Sequence, residues 1–381
     1  MPHYVYDPLF WFLTGISLVW IYRGTHALRV LQKSPWIYPQ ASSFAAPAPK
    51  VSIIIPARNE ASNIGDCIDS LLRQTYPDYE IIIVNDRSTD GTEEILKSYA
   101  GRIRYFNVEQ TPPGWTGKNY AIHSCMHQAN GDWLLFSDAD TRHEPESLAA
   151  SLAHAIRHRL GMLTLLPRCL TSSFLERVLQ PCMMGYTGLW FPLKHINDPS
   201  HETYFANGQF ILMTKHLYQK IGGHEKVYDA FLEDFALMEN AKKLGERVQC
   251  AMGVNIYGTR MYPQFSSMWR GWRRIFLHAF RKDIPLLLEK MLDVLIAGIL
   301  PFVIYVVVTL RFIDQPQIHG PVWIAANIAL GLIFITCYKT YQMLKAPARY
   351  FWSYPFAALA CFLILLNAVW VSATKGITKW R

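Results

Sequence analysis

Apolar residues are concentrated in four long runs, one near the start of the chain and three near its end. The first run extends from Leu9 to Tyr22, and the later ones are Met291 to Phe312, Pro321 to Tyr338 and Tyr354 to Thr374. A membrane-spanning helix needs about 17–25 largely apolar residues, which the three later runs provide and the first only approaches. Because basic residues follow the first run instead of preceding it, the pattern predicts an uncleaved anchor and not a signal peptide.

Between these runs, short apolar segments alternate with segments in which apolar residues have helical spacing. The predicted strands are Val51 to Pro56, Glu80 to Val84, Ile103 to Val108 and Trp133 to Phe136. The predicted helices are Ala61 to Gln74, Asp90 to Tyr99 and Lys118 to Ala129. Repeated strand–helix units with apolar strands are typical of an α/β domain with a mostly parallel, Rossmann-like sheet covered on both faces. Active sites of such sheets lie at the carboxyl ends of the strands.

The pattern divides the chain into five parts. They are an N-terminal transmembrane anchor with its basic flank (1–33), a linker rich in Ala, Ser and Pro (34–49), an α/β catalytic domain (50–264), interfacial basic and amphipathic helices (265–290), and a C-terminal region of three transmembrane helices (291–381). One further apolar segment, Phe174 to Leu193, is interrupted by Pro181 and Gly185. It fits either a helix in the membrane interface or a buried core helix.

Charge agrees with a membrane location. Only 17% of the residues are charged, below the ~25% that is usual for soluble domains. The net charge of +8 is spread along the chain, and much of it flanks the apolar runs, where it suits an anionic lipid surface better than a nucleic acid. Since Lys and Arg mark the cytoplasmic side, the pattern predicts a multi-pass protein of a bacterial inner membrane with its catalytic domain in the cytoplasm. The tail, with Lys375, Lys379 and Arg381, then falls outside against this rule, unless one span is re-entrant.

Cysteines and histidines do not suggest a metal site. The seven cysteines include no C-x-x-C pair, so they are expected to be free thiols. Five histidines are expected to be surface or core side chains on helical segments and not metal ligands: His123, His127, His143, His154 and His158.

Carboxylates follow the predicted strands. Asp138 and Asp140 come after the fourth strand, where two carboxylates with waters and phosphate oxygens can hold Mg²⁺, although solvated turn residues fit the same pattern. Asp86 follows the second strand and can accept hydrogen bonds from a ribose or a base. Glu233 and Asp234 begin a predicted helix, a position that the helix dipole alone also favours for acidic residues.

Taken in order, four segments resemble family-2 glycosyltransferases of the GT-A fold over Val51 to about Phe280. They are Pro56-Ala57-Arg58-Asn59-Glu60, Asp86, Asp138-x-Asp140 and Glu233-Asp234. Further segments resemble the membrane branch that glycosylates carotenoids, hopanoids and ceramide. They are Pro113-Gly114-Trp115-Thr116-Gly117-Lys118, Asn207-Gly208-Gln209-Phe210, Gly222-Gly223-His224, Arg260-Met261-Tyr262 and Gly271-Trp272.

The resemblance implies a role for each matching residue. Asp234 would be the catalytic base, and Asp138 and Asp140 would hold Mg²⁺ or Mn²⁺. The donor would be bound by Pro56, Arg58, Asn59, Glu60, Asp86, Lys118, Asp138, Arg270 and Arg273. The acceptor or the sugar would be bound by Asn207, Gly208, Gln209, Glu233 and Trp272. Arg274 stands where the family often has Trp, so the basic cluster around it fits either a diphosphate clamp or a contact with lipid headgroups.

The resemblance also implies an inverting transfer of a hexose, with UDP-glucose as the expected nucleotide-sugar donor, to a hydroxyl of a membrane lipid at the cytoplasmic face. Carotenoid, hopanoid, ceramide and glycerolipid acceptors all remain open. One alternative is a processive polysaccharide synthase, for which three late spans are few. Another is a non-catalytic membrane partner of a lipid pathway, against which the intact carboxylates argue. No nucleic-acid partner is expected.

Overall fold

The computed structural model describes residues 3–40 and 48–374, and within them the chain forms two compact units. The α/β unit comprises residues 34–40, 48–170 and Phe191–Met261, and the helical unit comprises residues 3–33, 171–190 and 262–374. Part of the predicted linker (41–47) and the basic tail with Lys375, Lys379 and Arg381 lie outside the described residues.

The α/β unit contains a large and a small sheet. Its strands are β1 (Val51–Ala57), β2 (Tyr79–Asn85), β3 (Arg104–Asn107), β4 (Trp133–Ser137), β5 (Thr141–His143), β6 (Met162–Leu166), β7 (Arg168–Cys169), β8 (Phe210–Thr214), β9 (Val248–Met252) and β10 (Tyr257–Thr259). The large sheet has the order β3-β2-β1-β4-β8-β6-β9, and the small sheet has the order β5-β10-β7. Only β8 runs antiparallel to its neighbours in the large sheet, so the expected mostly parallel sheet is confirmed.

The helices are numbered along the whole chain. They are α1 (Pro8–Lys33), α2 (Ile64–Leu72), α3 (Thr92–Ser98), α4 (Gly117–Cys125), α5 (Ser147–Arg157), α6 (Phe174–Trp190), α7 (Leu193–Ile196), α8 (Lys215–Lys220), α9 (Gly223–Lys226), α10 (Glu233–Lys243), α11 (Phe265–Ala279), α12 (Ile284–Asp293), α13 (Leu300–Asp314), α14 (Pro316–Met343) and α15 (Tyr354–Thr374). A π-helical segment, Val294–Ile299, joins α12 to α13, and short 3₁₀ segments occur at His3–Tyr6, Met126–Gln128 and Ala348–Ser353.

The central strands are largely apolar because helices cover both faces of the large sheet. In β1, Ile53 and Ile55 belong to the core that contains α2 and α5. Ile54, between them, belongs to the opposite core with α4, α8 and α10. Successive side chains of a strand point to opposite faces, so a strand between two helical layers has apolar residues at successive positions instead of alternating ones. The same arrangement brings the carboxyl ends of β1, β2 and β4 to one edge.

Three helical stretches of the helical unit are long and apolar enough to cross a membrane: Ile284–Asp314, Pro316–Met343 and Ala348–Thr374. Their outward residues are apolar and open, for example Val306 at 57%, Ile335 at 62% and Phe356 at 65% exposure. These stretches correspond to the three late runs in the sequence. Among the described residues, α1 is not one of these candidate spans, and its role as an anchor stays a prediction.

Helix α6 resolves one alternative that the sequence left open. It belongs to the helical unit although it interrupts the α/β unit in sequence. Its residues Cys182, Met183 and Tyr186 are buried, and the hydroxyl of Tyr186 lies 2.7 Å from that of Tyr354 on α15. The middle of the segment therefore packs in the core of the helical unit, whereas Phe174 and Leu175 at its start are 55% and 42% exposed.

Candidate active site

The loops that follow β1 and β2 are tied together. Asp86 is 2% exposed, and its carboxylate oxygens lie 2.8 Å from Nε of Arg87 and 3.4 Å from Nη1 of Arg58. Asn59 adopts a left-handed conformation with φ of 57°, and its Oδ1 accepts a hydrogen bond from the backbone N–H of Thr89 at 2.7 Å. Arg58, Asn59 and Asp86, which are expected to bind the donor, therefore lie at the same edge of the sheet. The side chain of Asn59 also connects the two loops.

Pro56 and Glu60 lie at the same edge. Pro56 pairs with Val84 in the register of β1 and β2. The backbone N–H of Glu60 donates to Oγ1 of Thr92 at 2.8 Å, and its carboxylate accepts from Nδ2 of Asn63 at 2.9 Å. Burial raises the pKa of Glu60, and the charge of Asp138 adds to this effect.

Lys118 joins the acids of two separate segments. Its Nζ lies 2.8 Å from Oδ1 of Asp138, after β4, and 2.8 Å from Oε1 of Glu233, at the start of α10. Burial alone would lower the pKa of Lys118, but the two carboxylates outweigh it and hold this pKa well above its usual range. The lysine is therefore a permanent cation between the expected metal site and the expected base.

Asp234 is fixed by the backbone on both sides. Its Oδ2 accepts the N–H of Gly208 at 2.8 Å, and its Oδ1 accepts the N–H of Phe235 at 2.9 Å. Burial, followed by the charge of Glu233, raises the pKa of Asp234 to about 7. A carboxylate with such a pKa is matched to proton removal near neutral pH.

Asp140 has the character of a cation ligand. Its Oδ1 is buried and has no hydrogen-bond partner among the described residues. Burial, followed by the charges of Asp138 and Glu60, raises the pKa of Asp140 to about 8, so a cation that binds there would displace a proton near neutral pH. In the described part of the chain, no group of three or more His, Cys, Asp or Glu side chains could enclose a metal. The residues fit a cation that takes its other ligands from water and a diphosphate.

His143 lies beneath the loop that carries Asp138 and Asp140, and it is on strand β5 instead of on a helix as expected. Its Nε2 is 3.2 Å from Oγ of Ser137 and 3.0 Å from Oγ1 of Thr141. Both hydroxyls donate to backbone carbonyls, so Nε2 must carry the proton that they accept. Burial lowers the pKa of His143 to about 3, and the neutral ring supports the loop through these two hydroxyls.

Two residues expected at the acceptor turn inward. Nδ2 of Asn207 donates to the carbonyl of Leu165 and to the hydroxyl of Tyr257, both at 2.9 Å. Nε2 of Gln209 donates to Oγ1 of Thr259 at 3.0 Å. These hydrogen bonds fix the turn formed by Asn207, Gly208 and Gln209. The residue between them, Gly208, is the one whose backbone meets Asp234.

The basic cluster on α11 belongs to the helical unit. Arg270 is exposed, and Nη1 of Arg273 donates to Oδ1 of Asn367 at 3.2 Å. Trp272 is 3% exposed, and its Nε1 donates to Oε1 of Gln180 at 2.6 Å. Its ring is packed in the core of the helical unit, and the expectation that Trp272 meets a sugar stays a prediction.

Asn119 is a residue that sequence reasoning missed. It is fully buried beside Lys118, and its Nδ2 donates to the carbonyls of Val227 at 2.6 Å and Ala230 at 2.9 Å. It therefore ties α4 to the loop that leads into Glu233. An Asn directly after Gly-Lys is an ordinary helix residue in the sequence, so no local signal marks it.

Comparisons with known proteins agree with this geometry. Residues 52–221 match the family described as Glycosyl transferase family 2. The chain is 27% identical over 234 residues to 4,4'-diaponeurosporenoate glycosyltransferase of Staphylococcus aureus (strain USA300), an alignment that covers 59% of this chain and 60% of that protein. The chain thus spans about 60% of the length of the curated relatives it matches.

A solved structure shares the fold. The mannosyltransferase PcManGT from Pyrobaculum calidifontis, in complex with GDP-Man and Mn2+, is 16% identical and has a TM-score of 0.52. The match covers 97% of this chain and 100% of that one. The GT-A expectation is confirmed.

Proposed function

Because residues 52–221 form a glycosyl transferase family 2 domain, we propose that the protein is an inverting hexosyltransferase that uses a nucleotide-sugar donor, UDP-glucose, and glycosylates a hydroxyl of a membrane lipid. One observation carries the proposal. Lys118 bridges Asp138 to Glu233 at 2.8 Å each, so the residues for a diphosphate, for a cation and for proton removal meet at one place. A non-catalytic partner of a lipid pathway needs no such cluster.

The donor would lie along the edge formed by the ends of β1, β2 and β4. Arg58, Asn59 and Asp86 would meet the nucleoside, in keeping with their common loop pair. Lys118 would meet the diphosphate. The mannosyltransferase with the same fold holds GDP-Man and Mn2+, which supports a nucleotide-sugar donor in this position.

The reaction would be a single displacement. Asp234, held by the N–H groups of Gly208 and Phe235, would take the proton of the acceptor hydroxyl. The oxygen would form a bond to the anomeric carbon while the bond from that carbon to the diphosphate breaks on the opposite face. One displacement inverts the configuration. Lys118 would stabilise the charge of the leaving diphosphate.

Asp138 and Asp140 would hold Mg²⁺ or Mn²⁺, which when bound supplies further neutralisation of the leaving diphosphate. The orphaned Oδ1 of Asp140 supports this assignment. His143 would keep the loop of both aspartates in place through Ser137 and Thr141.

A lipid acceptor is supported by the three candidate spans and by the name of the Staphylococcus aureus relative, a glycosyltransferase of 4,4'-diaponeurosporenoate. The basic flanks of the spans favour a catalytic domain on the cytoplasmic face of a bacterial inner membrane. Purified full-length protein should transfer label from UDP-glucose to a lipid extract. Mass spectrometry of lipids from cells with and without the protein would identify the acceptor, and unchanged lipids together with no labelled product would overturn the proposal.

A further inference from the structure

Lys118 also affects how a cation can bind to the site, an inference that rests on the proposed metal role of Asp138 and Asp140. Its ammonium already occupies Oδ1 of Asp138, one of the two carboxylates that a cation would need. We propose that Lys118 is an internal counter-ion: it neutralises the cation site in the empty enzyme and moves to the donor's diphosphate when cation and donor bind together. Lys118 thereby makes cation binding depend on the donor.

The contacts explain why the two cations compete. A divalent ion bound to Asp138 alone would face the ammonium of Lys118 at close range, and like charges at such a separation repel each other strongly in a partly buried site. Without a donor, Oε1 of Glu233 remains as the other partner of Lys118, and this contact keeps the ammonium beside Asp138. A metal on its own must therefore bind against a resident positive charge.

The donor removes this conflict. A diphosphate supplies oxygens both for the cation and for Lys118, so each positive group gains a partner. The described residues offer no set of three or more side chains that could hold a metal alone, and the buried Oδ1 of Asp140 stands without a partner among them. These facts fit a site that is half prepared by the protein and completed by the nucleotide.

Gly208 limits where Lys118 can go. A Cβ added at Gly208 would lie 3.2 Å from Nζ of Lys118, 3.3 Å from Oδ2 of Asp234 and 3.4 Å from Oε1 of Glu233. The turn therefore borders the ammonium on the side of the base. The side chain of Lys118 is 27% exposed, so a diphosphate from solvent could reach it.

The test measures Mn²⁺ binding directly, by the loss of the free-ion magnetic resonance signal, on purified full-length protein with and without UDP. GDP serves as a second nucleotide, so the identity of the donor does not decide the outcome. Lys118→Met removes the counter-ion, and Lys118→Arg keeps its charge. Lys97→Met removes one positive charge of the same unit that is paired with Glu93 on α3, and it controls for net charge. Thermal unfolding checks that each variant is folded.

For Lys118→Met we expect Mn²⁺ alone to bind more tightly, by roughly 5–150-fold, the range that is typical of coupled sites. The same variant should bind UDP more weakly and lose most of the mutual strengthening between UDP and Mn²⁺. Lys118→Arg should retain the weak binding of Mn²⁺ alone, because it keeps the charge, and Lys97→Met should stay near the wild type. Unchanged or weaker Mn²⁺ binding in a folded Lys118→Met variant overturns the counter-ion role and leaves the proposed function intact. A wild-type protein that binds no Mn²⁺ even with nucleotide overturns both this inference and the proposed metal site.

Discussion

The backbone N–H of Gly208 donates to Oδ2 of Asp234 at 2.8 Å, although the two residues lie on different segments of the α/β unit. This bond aims the carboxylate of the proposed base. It also explains why a glycine stands between Asn207 and Gln209, since the two amide side chains anchor the turn inward while the glycine borders Asp234, Glu233 and Lys118.

Gly208→Ala is therefore expected to impair catalysis more than folding. The added methyl group would press on Oδ2 of Asp234 and Nζ of Lys118, and a misplacement of about 1 Å can cost roughly 10²-fold in rate. Steady-state kinetics should show turnover reduced by roughly tenfold or more. Gly65→Ala is the matched control, because its nearest neighbour would lie at 3.8 Å. Equal activity of both variants would contradict the close fit at Gly208.

Asp234→Asn should reduce turnover by roughly 10²–10⁴, because an amide cannot take the proton of a hydroxyl. Binding of UDP, measured by calorimetry, should survive, since the proposed nucleoside contacts lie on other loops. The loss should be large for a hydroxyl acceptor and small for a carboxylate acceptor, which arrives already deprotonated. Near wild-type turnover on a hydroxyl lipid would reduce Asp234 to a structural residue.

The pH profile gives an independent view of the same group. Asp234 works only when deprotonated, and burial raises its pKa to about 7, so kcat/KM should fall as the pH drops through about 7. Since the charge of Glu233 contributes to this raised pKa, Glu233→Gln should move the acidic limb to lower pH, whatever it does to the maximal rate. A limb that stays in place would show that another group controls the profile.

Apolar patterning predicted much of the fold, because a strand that is buried on both faces is visible in the sequence as a run of consecutive apolar residues. The strand predicted from Val51 to Pro56 is observed as Val51–Ala57, since Ile53, Ile54 and Ile55 all need apolar surroundings. Helix α6 could not be assigned in this way, because the same apolar residues suit a membrane interface and a core. Only its partners on α15 decide the matter.

The candidate site was predictable where it follows strand ends and not where distant segments meet. Asp138 and Asp140 follow β4, as the topology requires. The bridge from Lys118 to Glu233 joins segments that are far apart in sequence, and nothing local encodes it. The packing of Trp272 is hidden for the same reason, because its partner Gln180 lies on α6, far away in the sequence.

Removal of divalent cations should abolish transfer. The buried Oδ1 of Asp140 has no hydrogen-bond partner among the described residues and could bind a cation, and a leaving diphosphate needs neutralisation. Treatment with excess chelator should stop the reaction, and added Mg²⁺ or Mn²⁺ should restore it. Asp140→Asn should raise the Mn²⁺ concentration needed for half-maximal activity. Full activity in excess chelator would exclude the metal role.

His143→Phe should loosen the loop of the two aspartates. The substitution removes the donor that Ser137 and Thr141 share, and loss of buried hydrogen bonds costs about 1–3 kcal/mol. Urea unfolding should show this destabilisation, and the Mn²⁺ requirement should rise in the same variant. His123, which is not among the contacts of this loop, provides the control as His123→Phe. If both variants behave alike, the support from His143 is not specific.

The lipid acceptor is the prediction with most at stake, and α6 shows how to test it. Charges introduced at Met183 would be expected to unfold the helical unit, because this side chain is 0% exposed. Trp190 is a poor choice too, because its ring packs against Phe276.

Leu175 of the same helix is 42% exposed, and Leu175→Glu places a charge on an open apolar surface, where burial against lipid is worth about 25 cal/mol per Å². We expect Leu175→Glu to spare donor hydrolysis and to depress transfer to lipid. The purified enzyme should then be offered labelled donor with either a soluble sugar or a membrane lipid extract. Label in the lipid, reduced in Leu175→Glu, supports a membrane substrate, whereas label in the soluble sugar alone removes the lipid acceptor and leaves only the transferase.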